Sequence, residues 1–260
     1  MDLSAFGMQK LILFILVLAR TAGIFTLTPI FGSPQLPAHI KLLASVALAF
    51  VFVPTVHVAG SLPTDILPMT VIVAREALVG LVIGFVCTLV FSAIQMAGQL
   101  VDGQTGLSFA TTVDPTNGTP GAVAARFHQL IAGMLFFAIN AHHILIRGLY
   151  DSFQIAPIGQ VAINPAVAGG VVDLFTALLV VAIRIAIPVV AAVFMADIAL
   201  AVTARLVPQM NVLMVGFPLK LGVGIIGMII ALPIMVSMST DTMGDMYRHT
   251  VQLLNIMVSK

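Results

Sequence analysis

Residues 66–101 read ILPMTVIVAREALVGLVIGFVCTLVFSAIQMAGQLV, and their reading decides the fold. Past Pro68 nothing breaks a helix, the apolar residues surround the whole circumference, and a helix over the stretch runs roughly 50 Å at 1.5 Å per residue. A hydrocarbon core is about 30 Å thick, so the segment is longer than one simple crossing. Residues 171–207 repeat the pattern at similar length, with Pro188 inside as a site for a kink or a tight helical hairpin. Both stretches carry charge where lipid would not accept it: Arg75 and Glu76 in the first, Arg184, Asp197 and Arg205 in the second.

Outward from these two, further apolar runs fall near residues 11–31, 42–58, 127–146 and 212–238. Hydrophobic residues make up 60% of the chain and charged ones 8%, with a mean hydropathy of +1.15. The expected fold is all-α, a hydrophobic multi-helix membrane-associated protein with long, kinked helices and helical hairpins. Arg20 and Lys220 join the five charges above. Facing lipid, each would cost about 2.5–3.5 kcal/mol, on the order of 20 for all seven, so lipid is not their neighbour. Pairing within one helix also fails. At 100° per residue Asp197 and Arg205 are about 80° out of register, and Arg184 and Asp197 lie on nearly opposite faces. Each charge needs a partner on another helix or another subunit. Ion pairing between packed helices is the favoured reading, and a water-lined conduit or proton path is the alternative. Gly80 and Gly84, continued by Ala93 and Ala97, form a small-residue ridge along which helix backbones approach closely.

The segments between runs are short and rich in proline and glycine, as at Pro29–Pro37, Pro54–Pro68 and Pro157–Pro165. The start of the chain lacks a small-residue cleavage site and reads as a retained first helix. Residues 102–122, DGQTGLSFATTVDPTNGTPGA, are the exception among the linkers, a loop of about twenty residues. Leu107, Phe109 and Val113 within it favour a functional, ordered loop over a solvated connector. A short polar tail follows from about Ser239. The fourteen methionines include a late cluster, Met235, Met238, Met243 and Met246, which fits core gap-filling. No repeat divides the chain, which reads as a single domain.

Several function classes have no support. With 11 Lys+Arg against 10 Asp+Glu and no basic run, a nucleic-acid surface is excluded. Cys87 is alone and cannot form an intrachain disulfide. No catalytic, cofactor or metal motif occurs: His142 and His143 are adjacent rather than at metal-ligand spacing, and GLSFA at 106–110 misses the nucleophile-elbow pattern at Ala110. An ion-coupled transporter would need a second, inverted half to match the Pro/Asn break near 208–218, and none is visible. With six spans assumed, the Lys/Arg residues divide almost evenly: Lys10, Arg75, Arg147, Arg248 and Lys260 against Lys41, Arg126, Arg205 and Lys220. Positive-inside bias is missing, so either some runs are re-entrant or interfacial or the protein does not rest as an ordinary bundle across the bilayer, and the over-long helices favour the second.

From Arg205 the sequence runs RLVPQMNVLMVGFPLKLGVG, where Pro208, Gln209, Asn211, Gly216, Pro218 and Lys220 interrupt an apolar helix. This block resembles the FliR/SctT family of type III secretion export-gate subunits. So do Arg20 through Pro29 with Phe31, Pro37 and Lys41; Glu76, Gly80 and Gly84; Ala97, Gly98, Asp102 and Gly106 with Asp114 and Pro115; and Asp197. The resemblance implies a FliP-like N-terminal part followed by a FliQ-like C-terminal part. It implies assembly with FliP and FliQ homologues into a helical gate raised above the bilayer plane within the basal-body ring, beside FlhB and FlhA homologues. It also implies a location in the bacterial inner membrane and unfolded flagellar proteins as cargo, with a virulence injectisome as the alternative setting. Residues 102–122 would then be a plug, with Gly106, Leu107, Phe109, Asp114, Pro115 and Asn117 as gate residues and Phe109 as the steric closure. Arg20, Glu76, Arg184, Asp197, Arg205, Gln209, Asn211 and Lys220 would be buried packing or assembly residues, their charges matched across subunits.

Overall fold

The computed structural model describes residues 3–34, 36–56, 65–107, 122–159, 165–209 and 211–258. Among them all regular structure is helical: α1 (Leu3–Leu27), α2 (Ala38–Phe52) with a single 3-10 turn at Val53–Thr55, α3 (Ile66–Thr105), α4 (Val123–Ala138), α5 (Ala141–Ile155), α6 (Ala166–Leu206), α7 (Val212–Gly244) and α8 (Met246–Val258). Among the described residues five helices are long and apolar enough to cross a membrane, or up to six if α4 and α5 count as one broken span. The over-long segments read from the sequence are single helices: α3 has 40 residues and α6 has 41.

Four expectations change. Pro188 lies inside an unbroken α6, and Pro218 and Pro233 lie inside α7, so no hairpin forms at 188 and Gly216, Pro218 and Lys220 are helical. In apolar surroundings backbone groups have few partners besides their own helix, which favours keeping the ladder across one missing N–H. Helix α6 stops at Leu206 and α7 starts at Val212. The run at 127–146 is instead divided at Asn140, whose left-handed backbone (φ 57°) ends one helix and begins the next; asparagine tolerates that conformation better than most residues. Helix α3 extends through Thr105, four residues into the expected loop, with the Thr105 hydroxyl donating back to the Val101 carbonyl at 2.9 Å. The polar tail is helical, and α8 buries Met246, Thr250, Leu253, Leu254 and Met257.

The chain forms two compact units that are discontinuous in sequence: Met1–Val90 with Asn140–Phe175 and Gly244–Lys260, and Phe91–Ile139 with Thr176–Met243. In the first unit α1 packs on α2 and α5 on α8. Its core includes Leu16, Val17, Ile24, Phe52, Ile83, Leu149, Phe153, Leu253 and Leu254. The α1–α3 crossing is close because glycines face backbone: a Cβ on Gly23 would stand 2.7 Å from the Ala77 carbonyl oxygen, and one on Gly84 2.9 Å from that of Ile24. At Gly80 a Cβ would collide with the Arg20 carbonyl. Helices meeting at this range have no room for lipid between them. In the second unit Ile94, Ala97, Val101, Phe136, Ile185, Val189, Val193 and Met235 form the core, and Phe91 and Phe136 meet with ring centroids 5.6 Å apart.

Candidate functional site: a buried ion node and a tied loop base

The small residues that let α1 and α3 close up also bring their charges together. Arg20 on α1 and Glu76 on α3 are both fully buried, and the guanidinium meets the carboxylate through Nε at 2.7 Å and Nη2 at 2.5 Å. Arg20 has further donors, and α5 accepts them at its C-terminal end. Nη1 donates to the Ser152 carbonyl at 2.8 Å and to its hydroxyl at 3.1 Å, and Nη2 to the Ala156 carbonyl at 2.9 Å. The last carbonyls of a helix lack intrahelical donors and carry the negative end of its dipole, so a buried cation is well placed there. The Phe153 ring lies 4.5 Å from the guanidinium carbon. The other Glu76 oxygen accepts from the Gly159 N–H at 3.1 Å, where Gly159 turns through positive φ, +79°. One ion pair therefore joins α1, α3, the end of α5 and the turn after it.

A second centre, in the other unit, joins the end of α3 to the start of α4. Asp102, in the last turn of α3 and 2% exposed, accepts from the Ala124 N–H at 2.8 Å through Oδ1 and from the Ala125 N–H at 2.9 Å through Oδ2. The residue before α4, Ala122, has no side chain that could cap it, and a carboxylate from the preceding helix supplies the cap instead. Gly98, one turn earlier on α3, lies against Ala125 so closely that any Cβ would overlap its backbone. His128 bonds the Ala124 carbonyl through Nδ1 at 2.7 Å, one turn along α4. A Cβ on Gly106 would meet Phe217 of α7 at 3.3 Å, and one on Gly224 would collide with the Thr105 side chain. Asp102 thus meets the start of α4 although twenty-two positions separate it from Ala124.

The remaining expected site residues divide. Asp197 on α6 pairs with Lys220 on α7 at 2.6 Å, both about one-third exposed. Of the two settings left open, another helix or another subunit, Arg20, Glu76, Asp197 and Lys220 take the first: each finds its counterion on another helix of the same chain, and the matching across subunits that the resemblance implies is corrected for these four. Arg184, Arg205, Gln209 and Asn211 are exposed on the chain rather than buried in it. Asn211 instead caps α7, its Oδ1 accepting from the Met214 N–H at 3.3 Å. Gly106 and Leu107 are half-buried, whereas Phe109, Asp114, Pro115 and Asn117 lie outside the described residues. Sequence reasoning did not find Ser152, Ala156 and Gly159, which contribute backbone groups that no side-chain pattern advertises, with the Ser152 hydroxyl as the one side-chain group among them. Gly23 was also missed, although Ala19 stands one helical turn before it. Among the described residues no three His, Cys, Asp or Glu side chains converge to hold a metal ion.

A model of the family described as bacterial export proteins, family 1, matches residues 11–246. The flagellar biosynthetic protein FliR of Bacillus subtilis is 34% identical over 224 residues, 85% of this chain and 86% of that protein. FliR of Escherichia coli is 27% identical over 238 residues, 92% and 91% of the two chains. The Yop proteins translocation protein T of Yersinia pestis is 28% identical over 218 residues, 82% of each. Both centres, the Arg20–Glu76 node and the Asp102 clamp, fall inside the matched span, and the chain belongs to the bacterial export proteins, family 1, the family of the flagellar biosynthetic protein FliR.

Proposed function

We propose that this chain is a structural and gating subunit of the flagellar type III protein export apparatus, set in the bacterial inner membrane at the flagellar basal body. In this reading it forms, with FliP and FliQ homologues and beside FlhA and FlhB homologues, the channel through which unfolded flagellar proteins pass. Its N-terminal part is FliP-like and its C-terminal part FliQ-like. The chain's role is passive: it supplies a wall and a stop, and the work of transport is done elsewhere. The observation that carries the reading is the Asp102 clamp. By joining the end of α3 to the start of α4 at 2.8 and 2.9 Å, it supports a fixed base from which the intervening segment acts as a plug. A loop anchored at both ends retains far fewer conformations than a free tether of equal length, which suits a stopper that must return to one place.

The test is deletion of several residues between Gly106 and Asn117 in the assembled complex. Loss of the plug is expected to let small ions through while the complex still assembles; unchanged ion permeability with normal assembly would refute the assignment. A virulence injectisome is the second setting, favoured by the 28% identity to the Yersinia translocation protein. Complementation of a motility-deficient flagellar strain distinguishes the two.

A further inference from the structure

The chain leaves α3 through Gly106, whose backbone is left-handed at φ +78°. Glycine in this conformation ends a helix without the cost a Cβ would bring. A side chain from α7 stands against the turn. A Cβ on Gly106 would lie 3.3 Å from Cε2 and 3.4 Å from Cδ2 of the Phe217 ring, and among the described residues no other group beyond its own stretch of chain comes within 4 Å. Gly224, where a Cβ would collide with the Thr105 side chain, follows Phe217 by seven positions, so the two lie within about 20° of each other around α7. One face of α7 therefore touches both residues at which α3 gives out. That stretch of α7 is itself attached to α6: a Cβ on Gly216 would lie 3.3 Å from Leu200, and Lys220 pairs with Asp197 at 2.6 Å. Pro218 lacks the N–H that would bond one turn back, and these attachments hold α7 on both sides of it. Phe217 is 44% exposed and is no part of the core.

We propose that Phe217 is a positioning residue for the gate: its ring, seated against Gly106, sets the direction in which the chain leaves α3. The inference rests on the gating reading and adds to it the residue through which α7 acts on the α3 side of the loop. The Asp102 clamp does not do this alone. It joins the last turn of α3 to the Ala124 and Ala125 amides, and Gly106 lies beyond it, outside the helix. A glycine without a restraining neighbour takes both signs of φ with similar ease. A ring laid across Gly106 removes the conformations that would carry the backbone toward α7. A loop that starts in one direction has fewer arrangements to search than one that starts in several, which favours return to a single closed position.

The experiment uses the full chain in the assembled complex, reconstituted into vesicles, with the plug deletion measured alongside. Phe217→Ala is expected to raise small-ion permeability roughly fivefold over the unaltered complex, with the complex recovered in the same yield. Phe217→Tyr keeps the ring and should stay as tight as the unaltered chain. Leu219 is equally exposed, at 44%, but points about 200° away around α7, so Leu219→Ala should not leak. Hydrogen exchange gives a reading that needs no conductance: Phe217→Ala should quicken the Gly106 and Leu107 amides roughly fivefold and leave those of Ala124 and Ala125 unchanged. The inference is overturned, with the export-gate reading left standing, if the deletion leaks but Phe217→Ala does not. It is likewise overturned if Leu219→Ala or Phe217→Tyr leaks as much as Phe217→Ala, if Phe217→Ala lowers recovery of the complex, or if exchange at Gly106 and Leu107 is unchanged. If the deletion itself does not leak, the plug assignment fails and this inference falls with it.

Discussion

Replacing Arg20 with methionine isolates what the buried node contributes. The substitution keeps an unbranched apolar stem of similar reach and removes every donor. Glu76, fully buried, is then left with the Gly159 N–H at 3.1 Å as its described hydrogen bond. The Ala156 carbonyl also loses the guanidinium, whereas the Ser152 carbonyl still accepts from the Ala156 N–H at 2.9 Å. Stranding one partner of a buried pair costs about 3–5 kcal/mol. A folded protein typically has only about 5–15 kcal/mol of stability to lose. At about 2–4 °C per kcal/mol for a chain of this size, the melting temperature should fall by roughly 6–20 °C. The assay is thermal unfolding of the purified complex in detergent, carried through a cycle of Arg20→Met, Glu76→Leu and the double variant. Because two apolar residues leave neither charge unpaired, the double variant should recover at least half the loss of either single one. Single variants within about 2 °C of the unaltered protein, or losses that simply add, would refute the view that this pair joins α1, α3 and α5.

Gly80→Ala should destabilise the chain by about 1–3 kcal/mol, because the new methyl meets the Arg20 carbonyl with no room to move, whereas Gly133→Ala, with nothing within 4 Å, should be neutral or stabilising; melting of the two variants checks the contrast. Asp102→Asn keeps one side-chain acceptor and loses the charge, which should weaken the start of α4 by about 1 kcal/mol. Hydrogen exchange at the Ala124 and Ala125 amides should then quicken by roughly fivefold or more, and unchanged exchange would show that the carboxylate does not hold the loop base.

How much of the site was legible depended on whether its parts lie along one helix. That Arg20 and Glu76 are costly to leave alone follows from composition and the price of charge in an apolar medium. That they choose each other does not, since they stand fifty-six positions apart. Gly80 and Gly84 announced a close helix contact by their spacing, but the partner, α1 at Arg20 and Ile24, was silent. Asp102 resembled the start of a loop because glycines and threonines follow it. In the structure it lies in the last turn of α3 and accepts two amides across the gap, a contact no local propensity encodes.

By itself the sequence determined that the chain is all-helical, that two of its helices are longer than a bilayer core, and that charges in its apolar helices are costly to leave against lipid. Those conclusions rest on local helix geometry and on transfer energies, which depend on residue type and spacing alone. Only the tertiary structure decided which charges pair, that Asn140 rather than Pro188 divides a helix, and that Asp102 ties the base of the loop. Each of these is set by which backbones come within contact distance, and for residues distant in the chain that is fixed by packing and not by spacing.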